Sequence, residues 1–214
     1  MPDLVVFRDT LAAAVKTLAA NDVRFGAIGG IASVAWGRPR WDPSSADVDL
    51  MVRPQDADRA RDALAGEGFE AVETTEDHWL RRLQRDGIGI DLIFRTAGDI
   101  YLDDEMLGRI AGREFEGVTV PVVSAEDTVV MKALAFGEQT PTYWAEALSI
   151  IARHDLDWDY VLERARHGVH RVLSLLVYAQ SQDLAVPGSA VRSLFAAAEH
   201  DPAMEEGGAD ATAG

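Results

Sequence analysis

The stretch "SSADVDLMV", residues 44–52, sets two aspartates two positions apart in an apolar run. Side chains of an extended backbone alternate with a period of two, so Asp47 and Asp49 share one face while Val48, Leu50 and Val52 take the other. Two like charges about 4 Å apart repel by roughly 4 kcal/mol at an effective dielectric of about 20, so such a pair persists only when exposed, protonated or bridged by a cation. A third carboxylate, Asp91, lies in "GIGIDLIF", whose apolar neighbours Ile90, Leu92, Ile93 and Phe94 mark a central strand. Carboxylates in central strands require pairing or a metal. Upstream, "AIGG" closes a short buried run at Gly29-Gly30 and opens the helix "IASVAWG". Read alone this is a tight strand-to-helix turn. Read with the aspartates, its free backbone amides offer a place for phosphate oxygens.

The elements that must position these residues follow from periodicity. "VFRDTLAAAVKTLAA" has helical spacing and "ND" closes it. "VRFGAIGG" reads as a strand, "ADVDLMV" as another that Arg53-Pro54 breaks, and "PQDADRARDALAGEG" as an amphipathic helix with Pro at its start and Gly at its end. "FEAVE" continues the sheet, and "HWLRRLQ" and "IGIDLIF" are joined by Asp86-Gly87, a strong hairpin signal. "REFEGVTVPVV" predicts a further hairpin. From Ser124 onward the pattern becomes helical, beginning with a Ser124 to Asp127 capping box in "SAEDTVVMKALAF" and continuing through "TYWAEALSIIARH", "DWDYVLERARHG", "VHRVLSLLVYAQ" and "SAVRSLFAAAEH". This predicts an α/β (α+β) chain divided into residues 1–123, a helical unit 124–200, and a disordered acidic tail 201–214.

The chain has 214 residues, 48% hydrophobic and 26% charged, with no apolar run near the ~20 residues of a membrane helix. It has no cysteine, which excludes disulfides and thiolate chemistry, and Asp3, Arg8 and Asp9 interrupt any leader-like segment. A cytoplasmic location and no membrane partner are expected. The net charge of −16 argues against a broad nucleic-acid surface. Among the basic residues, lysine occurs only as Lys16 and Lys132.

The ordered set "AIGG", "ADVDLMV" and "GIDLI" resembles the DNA polymerase beta superfamily of nucleotidyltransferases, and within it the abortive-infection type toxins and related small bacterial enzymes. The resemblance covers residues 23–94 and continues loosely through the helix after Ser124. It implies a mixed-sheet nucleotidyltransferase core followed by a C-terminal helical bundle. It also implies that Asp47, Asp49 and Asp91 hold two Mg²⁺ ions, with Asp91 also the base for an acceptor hydroxyl, during transfer of a nucleoside monophosphate from an NTP. Gly29, Gly30, Arg38, Arg40, Ser45 and Lys132 would bind the nucleotide. For Lys132 the alternative is a snorkelling surface lysine, for the arginines a solvated loop, and for Ser45 turn chemistry in "DPSS".

The resemblance leaves the acceptor open among an RNA end, a small hydroxylated molecule such as an antibiotic, and a protein; it also allows a toxin with a cognate antitoxin partner. A cationic small acceptor suits the acidic charge. The other class is a non-catalytic module that keeps nucleotide or partner binding on this fold. Two departures from the family pattern stand out: a longer spacer between Gly30 and Asp47, and only Glu138 and Glu146 where relatives carry a mixed charged cluster. Arg81, Arg82 and Arg85 read as a solvated strand face, and the five histidines show no zinc spacing.

Overall fold

The computed structural model describes residues 3–37 and 47–200. Arg38, Arg40, Ser45 and the acidic tail lie outside the described residues.

Helix α1, Leu4–Ala20, is capped by the Asp3 side chain, which accepts from the Val5 amide at 2.8 Å, and buries Phe7, Leu11, Ala14 and Leu18 along one face. Strand β1, Phe25–Ala27, runs into α2, Gly29–Trp36; strand β2, Asp47–Val52, follows. A 3₁₀ turn at Pro54–Asp56 leads into α3, Ala57–Gly66, with Pro in the first turn as its fixed φ favours. Strands β3, Glu70–Val72, β4, Leu80–Arg85, and β5, Ile88–Ile93, form a meander. The β4–β5 hairpin turns through Asp86 and Gly87 at φ 53° and 78°, the left-handed pair that a two-residue turn demands. A short helix α4, Asp104–Arg109, precedes β6, Ala111–Phe115, and β7, Val118–Val122. The expected "REFEGVTVPVV" hairpin is this last pair, turning at Glu116 and Gly117.

The seven strands form one mixed sheet in the order β3-β4-β5-β2-β1-β7-β6, with β2 and β5 parallel, β1 and β7 parallel, and the other neighbours antiparallel. The central strands carry apolar residues wholly out of water: Val48, Leu50, Met51, Val52, Ile90 and Leu92. After β7 the described chain is helical: α5, Ala125–Ala135, α6, Tyr143–Ile151, α7, Trp158–Arg164, α8, Val169–Ser181, and α9, Gly188–Ala198. This is the α/β architecture with C-terminal helices that the sequence predicts. Among the described residues no helix is long and apolar enough to cross a membrane.

The cap of α5 departs from a reciprocal capping box. Ser124 Oγ does accept from the Asp127 amide at 3.0 Å, but the Asp127 carboxylate turns inward and accepts from Ser124 Oγ at 2.7 Å and from the Tyr160 hydroxyl at 3.0 Å. Arg164 reaches the same carboxylate at 3.3 Å and Asp103 at 2.5 Å, with its own side chain 1% exposed. This ionic knot ties the loop before α4 to α5 and α7. Burial pushes Asp127 up to about 6, against the opposing pull of Ser124, Arg164 and Tyr160. Removing one partner of such a pair strands a buried charge, so Arg164→Met should cost about 3–5 kcal/mol in urea unfolding. A cost below about 1 kcal/mol would show that the knot is not holding these helices.

Candidate active site

The geometry begins with strand register. The parallel pairing of β2 and β5 sets Asp47 beside Gly89 and Asp49 beside Asp91, and the antiparallel pairing of β5 and β4 sets Asp91 beside Arg82. Asp49, Asp91 and Arg82 therefore form one row across three strands. Asp47 is exposed, Asp49 is partly covered, and Asp91 is 5% exposed, so Asp91 is not the surface residue that an exposed strand would give. Gly89 leaves room for Asp47, since a Cβ there would sit 2.5 Å from Asp47 Oδ1. That glycine in "GIGID" was a legible sign of crowding beside the acidic pair, and sequence reasoning passed over it.

Gly29 makes the tightest approach. Its φ is +59°, and a Cβ at that position would lie 1.9 Å from Asp49 Oδ2. Only glycine satisfies both the left-handed backbone and the contact. The Ile28 amide donates to the Asp49 carbonyl at 3.0 Å, which fixes the turn to the strand that carries the aspartate. Gly29 thus packs against Asp49. A Cβ on Gly30 would meet nothing within 4 Å, so that glycine is not required by packing.

Burial first, and then the neighbouring charges of Asp91 and Asp47, raise Asp49 to about 6, while Lys132 and Arg82 pull the other way. Burial is the largest of these causes. Carboxylate oxygens are the hard donors that Mg²⁺ prefers. Asp47 and Asp49 supply donors of that kind. Asp91 is otherwise engaged: Arg82 Nε donates to Oδ1 at 2.7 Å and Nη2 to Oδ2 at 2.6 Å. Among the described residues no three His, Cys, Asp or Glu side chains form a group that could hold a metal ion.

Lys132 is 5% exposed and is not a snorkelling surface lysine. Its Nζ lies 2.8 Å from Glu146 Oε2 and 3.8 Å from the centre of the Tyr143 ring. Ser33 Oγ lies 2.7 Å from the same Glu146 oxygen and 2.9 Å from the Gly29 carbonyl. A polar chain thus runs from the glycine turn through Ser33 and Glu146 to Lys132. Glu146 and Arg82 are the residues that the sequence reading undervalued: Glu146 because its partners lie far along the chain, and Arg82 although the two-residue Asp86-Gly87 turn sets its pairing with Asp91.

Of these groups Gly29, Asp49, Asp91, Lys132 and Tyr143 open onto a cleft of about 540 Å³. Gly29, Asp49, Asp91 and Lys132 form its polar floor, and Ile28, Ile93, Val123, Met131, Trp79 and Tyr143 supply apolar walls. Its rim is the segment 95–99, where the Thr96 hydroxyl is buried without a partner.

A glycine turn packed on a two-carboxylate strand, in a mixed sheet with helices behind it, is the arrangement of a nucleotidyltransferase core. A family model described as an uncharacterised nucleotidyltransferase matches residues 5–182, and the chain belongs to that family. Among solved structures, an antigenic nucleotidyltransferase-like protein from Paracoccidioides brasiliensis shares the fold with a TM-score of 0.56 and 16% identity, over 88% of this chain and 93% of that one. The antibiotic-resistance factor ANT(2'')-Ia in solution gives a TM-score of 0.51 and 15% identity, over 92% of this chain and 96% of that one. No curated protein matches by sequence.

A carboxylate raised to about 6 from 3.8 makes its contribution to stability at low pH and loses it as the pH climbs through 6. Wild-type protein should therefore lose about 2–3 kcal/mol from this group between pH 4 and pH 7, and Asp49→Asn should lose less over the same window. Urea unfolding at several pH values reads this. Parallel pH profiles for the two proteins would refute the raised proton affinity of Asp49.

Proposed function

We propose that the protein is a Mg²⁺-dependent nucleotidyltransferase that moves a nucleoside monophosphate from an NTP to the hydroxyl of a small acceptor. The observation that carries this reading is Gly29, whose left-handed turn is pressed against Asp49 one strand away from Asp91. A triphosphate lying on the α2 N-terminus would meet the free amides at Gly29 and Gly30. Asp47 and Asp49 would hold the metal, which supplies charge neutralisation at the α-phosphate and leaving pyrophosphate when bound. Asp91 would accept the acceptor hydroxyl's proton, and Lys132, held by Glu146 at the cleft floor, would bind phosphate oxygens.

The cleft's apolar walls and the net charge of −16 favour a small, uncharged or cationic hydroxylated acceptor over RNA. The likeness in fold to an antibiotic-resistance factor is in keeping with that choice. The abortive-infection likeness of the sequence would instead place the activity in a toxin restrained by a cognate partner. A second reading, a non-catalytic nucleotide-binding module, draws on the Arg82–Asp91 pair, which occupies both oxygens of the proposed base.

Incubation with α-³²P-labelled NTPs and Mg²⁺, offering aminoglycosides, lincosamides, total RNA and the protein itself as acceptors, tests this. Label should pass to a small molecule, fall by at least about 10³-fold in Asp49→Ala, and show shallow salt dependence. Nucleotide binding with no transfer to any acceptor would favour the binding module.

A further inference from the structure

Arg82 is placed to do more than brace a strand. Its guanidinium grips Asp91 through two parallel bonds of 2.7 and 2.6 Å, the geometry in which arginine holds a carboxylate most firmly. Its side chain is nevertheless 37% exposed, whereas the carboxylate it holds is 7% exposed. The contrast with Arg164 is informative: that side chain is 1% exposed and enclosed by Asp103, Asp127 and Tyr160, as a structural pair requires. A guanidinium that is more than a third exposed can return to water at small cost, and a sealed one cannot.

The surroundings of Arg82 supply a second position. Asp47 and Glu76 also lie within electrostatic range and, after Asp91, help to raise its affinity for a proton. The cation sits in a field of three carboxylates, bonded to one.

We propose that Arg82 is a positioning residue that competes with the metal for Asp91: it neutralises the buried carboxylate in the unloaded protein and must release it for the ion to gain its third ligand. This rests on the reading of Asp47, Asp49 and Asp91 as a metal site, and it accounts for two facts together. The three aspartates share neighbouring register positions, yet among the described residues they do not form a metal-holding group. The competitor accounts for the difference, because Arg82, on the side of Asp91 away from Asp49, holds both Asp91 oxygens and leaves neither free for a shared ion. Occupancy of the site then depends on the exchange of one cation for another.

The test is Mn²⁺ binding to the full chain without nucleotide, by isothermal titration calorimetry. Arg82→Gln should bind Mn²⁺ about tenfold tighter than wild type, because the competitor is gone. Arg82→Lys keeps the charge and loses the fork, so it should fall between the two; it also carries the test if the glutamine variant fails to fold. Arg85→Gln removes the same charge from the same strand, away from Asp91, and should change affinity by less than about twofold. Asp49→Asn should abolish binding. Equal or weaker Mn²⁺ binding in folded Arg82→Gln and Arg82→Lys, with wild-type binding still dependent on Asp49, would overturn the competition and leave the metal site standing. Equal tightening in Arg82→Gln and Arg85→Gln would overturn it as well, by showing a general charge effect. Absence of Mn²⁺ binding in every protein would overturn both the competition and the metal reading.

Discussion

Everything around the cleft answers one electrostatic problem, the placement of Asp49 and Asp91 side by side on two parallel central strands. Neither can move without breaking the hydrogen bonding of β2 to β5, and both lie among apolar residues. The fold surrounds the pair with cations on opposite sides, Arg82 across β4 and Lys132 on α5, and both lower the affinity of Asp49 for a proton. Asp49 is raised all the same, because burial, with the charges of Asp91 and Asp47, outweighs them.

The same problem explains the geometry of the glycine turn. Asp49 Oδ2 occupies the place of a side chain at Gly29, which presses the N-terminus of α2 onto the acidic strand. Ser33, one turn along α2, then reaches Glu146 on α6, and Glu146 fixes Lys132 on α5. Three helices outside the sheet are thereby registered to one carboxylate. A shift in α6 would be felt at Lys132 and at the Gly29 carbonyl together, because Glu146 pairs with Lys132 directly and meets Ser33, which bonds that carbonyl.

What the sequence made legible was whatever local periodicity or turn chemistry controls. The alternation in "ADVDLMV", the Asp86-Gly87 turn, the hairpin in "REFEGVTVPVV", the Pro54 start and the helical repeats after Ser124 all appear in the fold. The ordered glycine and aspartate motifs located the family. Less legible were properties set by partners far along the chain. Lys132 is buried because Glu146 and Tyr143 cover it, Arg82 belongs to Asp91 rather than to solvent, and Asp127 is drawn inward by Tyr160 and Arg164 instead of completing a capping box. For Lys132 and Asp127 this depends on register between distant elements, which a single sequence does not state; for Arg82 the two-residue Asp86-Gly87 turn already sets the pairing with Asp91.

The most direct test is diffraction at the manganese absorption edge from crystals grown with Mn²⁺ and a non-hydrolysable NTP analogue. The account predicts an anomalous peak within ligand distance of Asp47 and Asp49, phosphate oxygens on the Gly29 turn, and Asp91 no longer bonded to Arg82. Nucleotide bound away from Gly29, or metal held without Asp49, would contradict it.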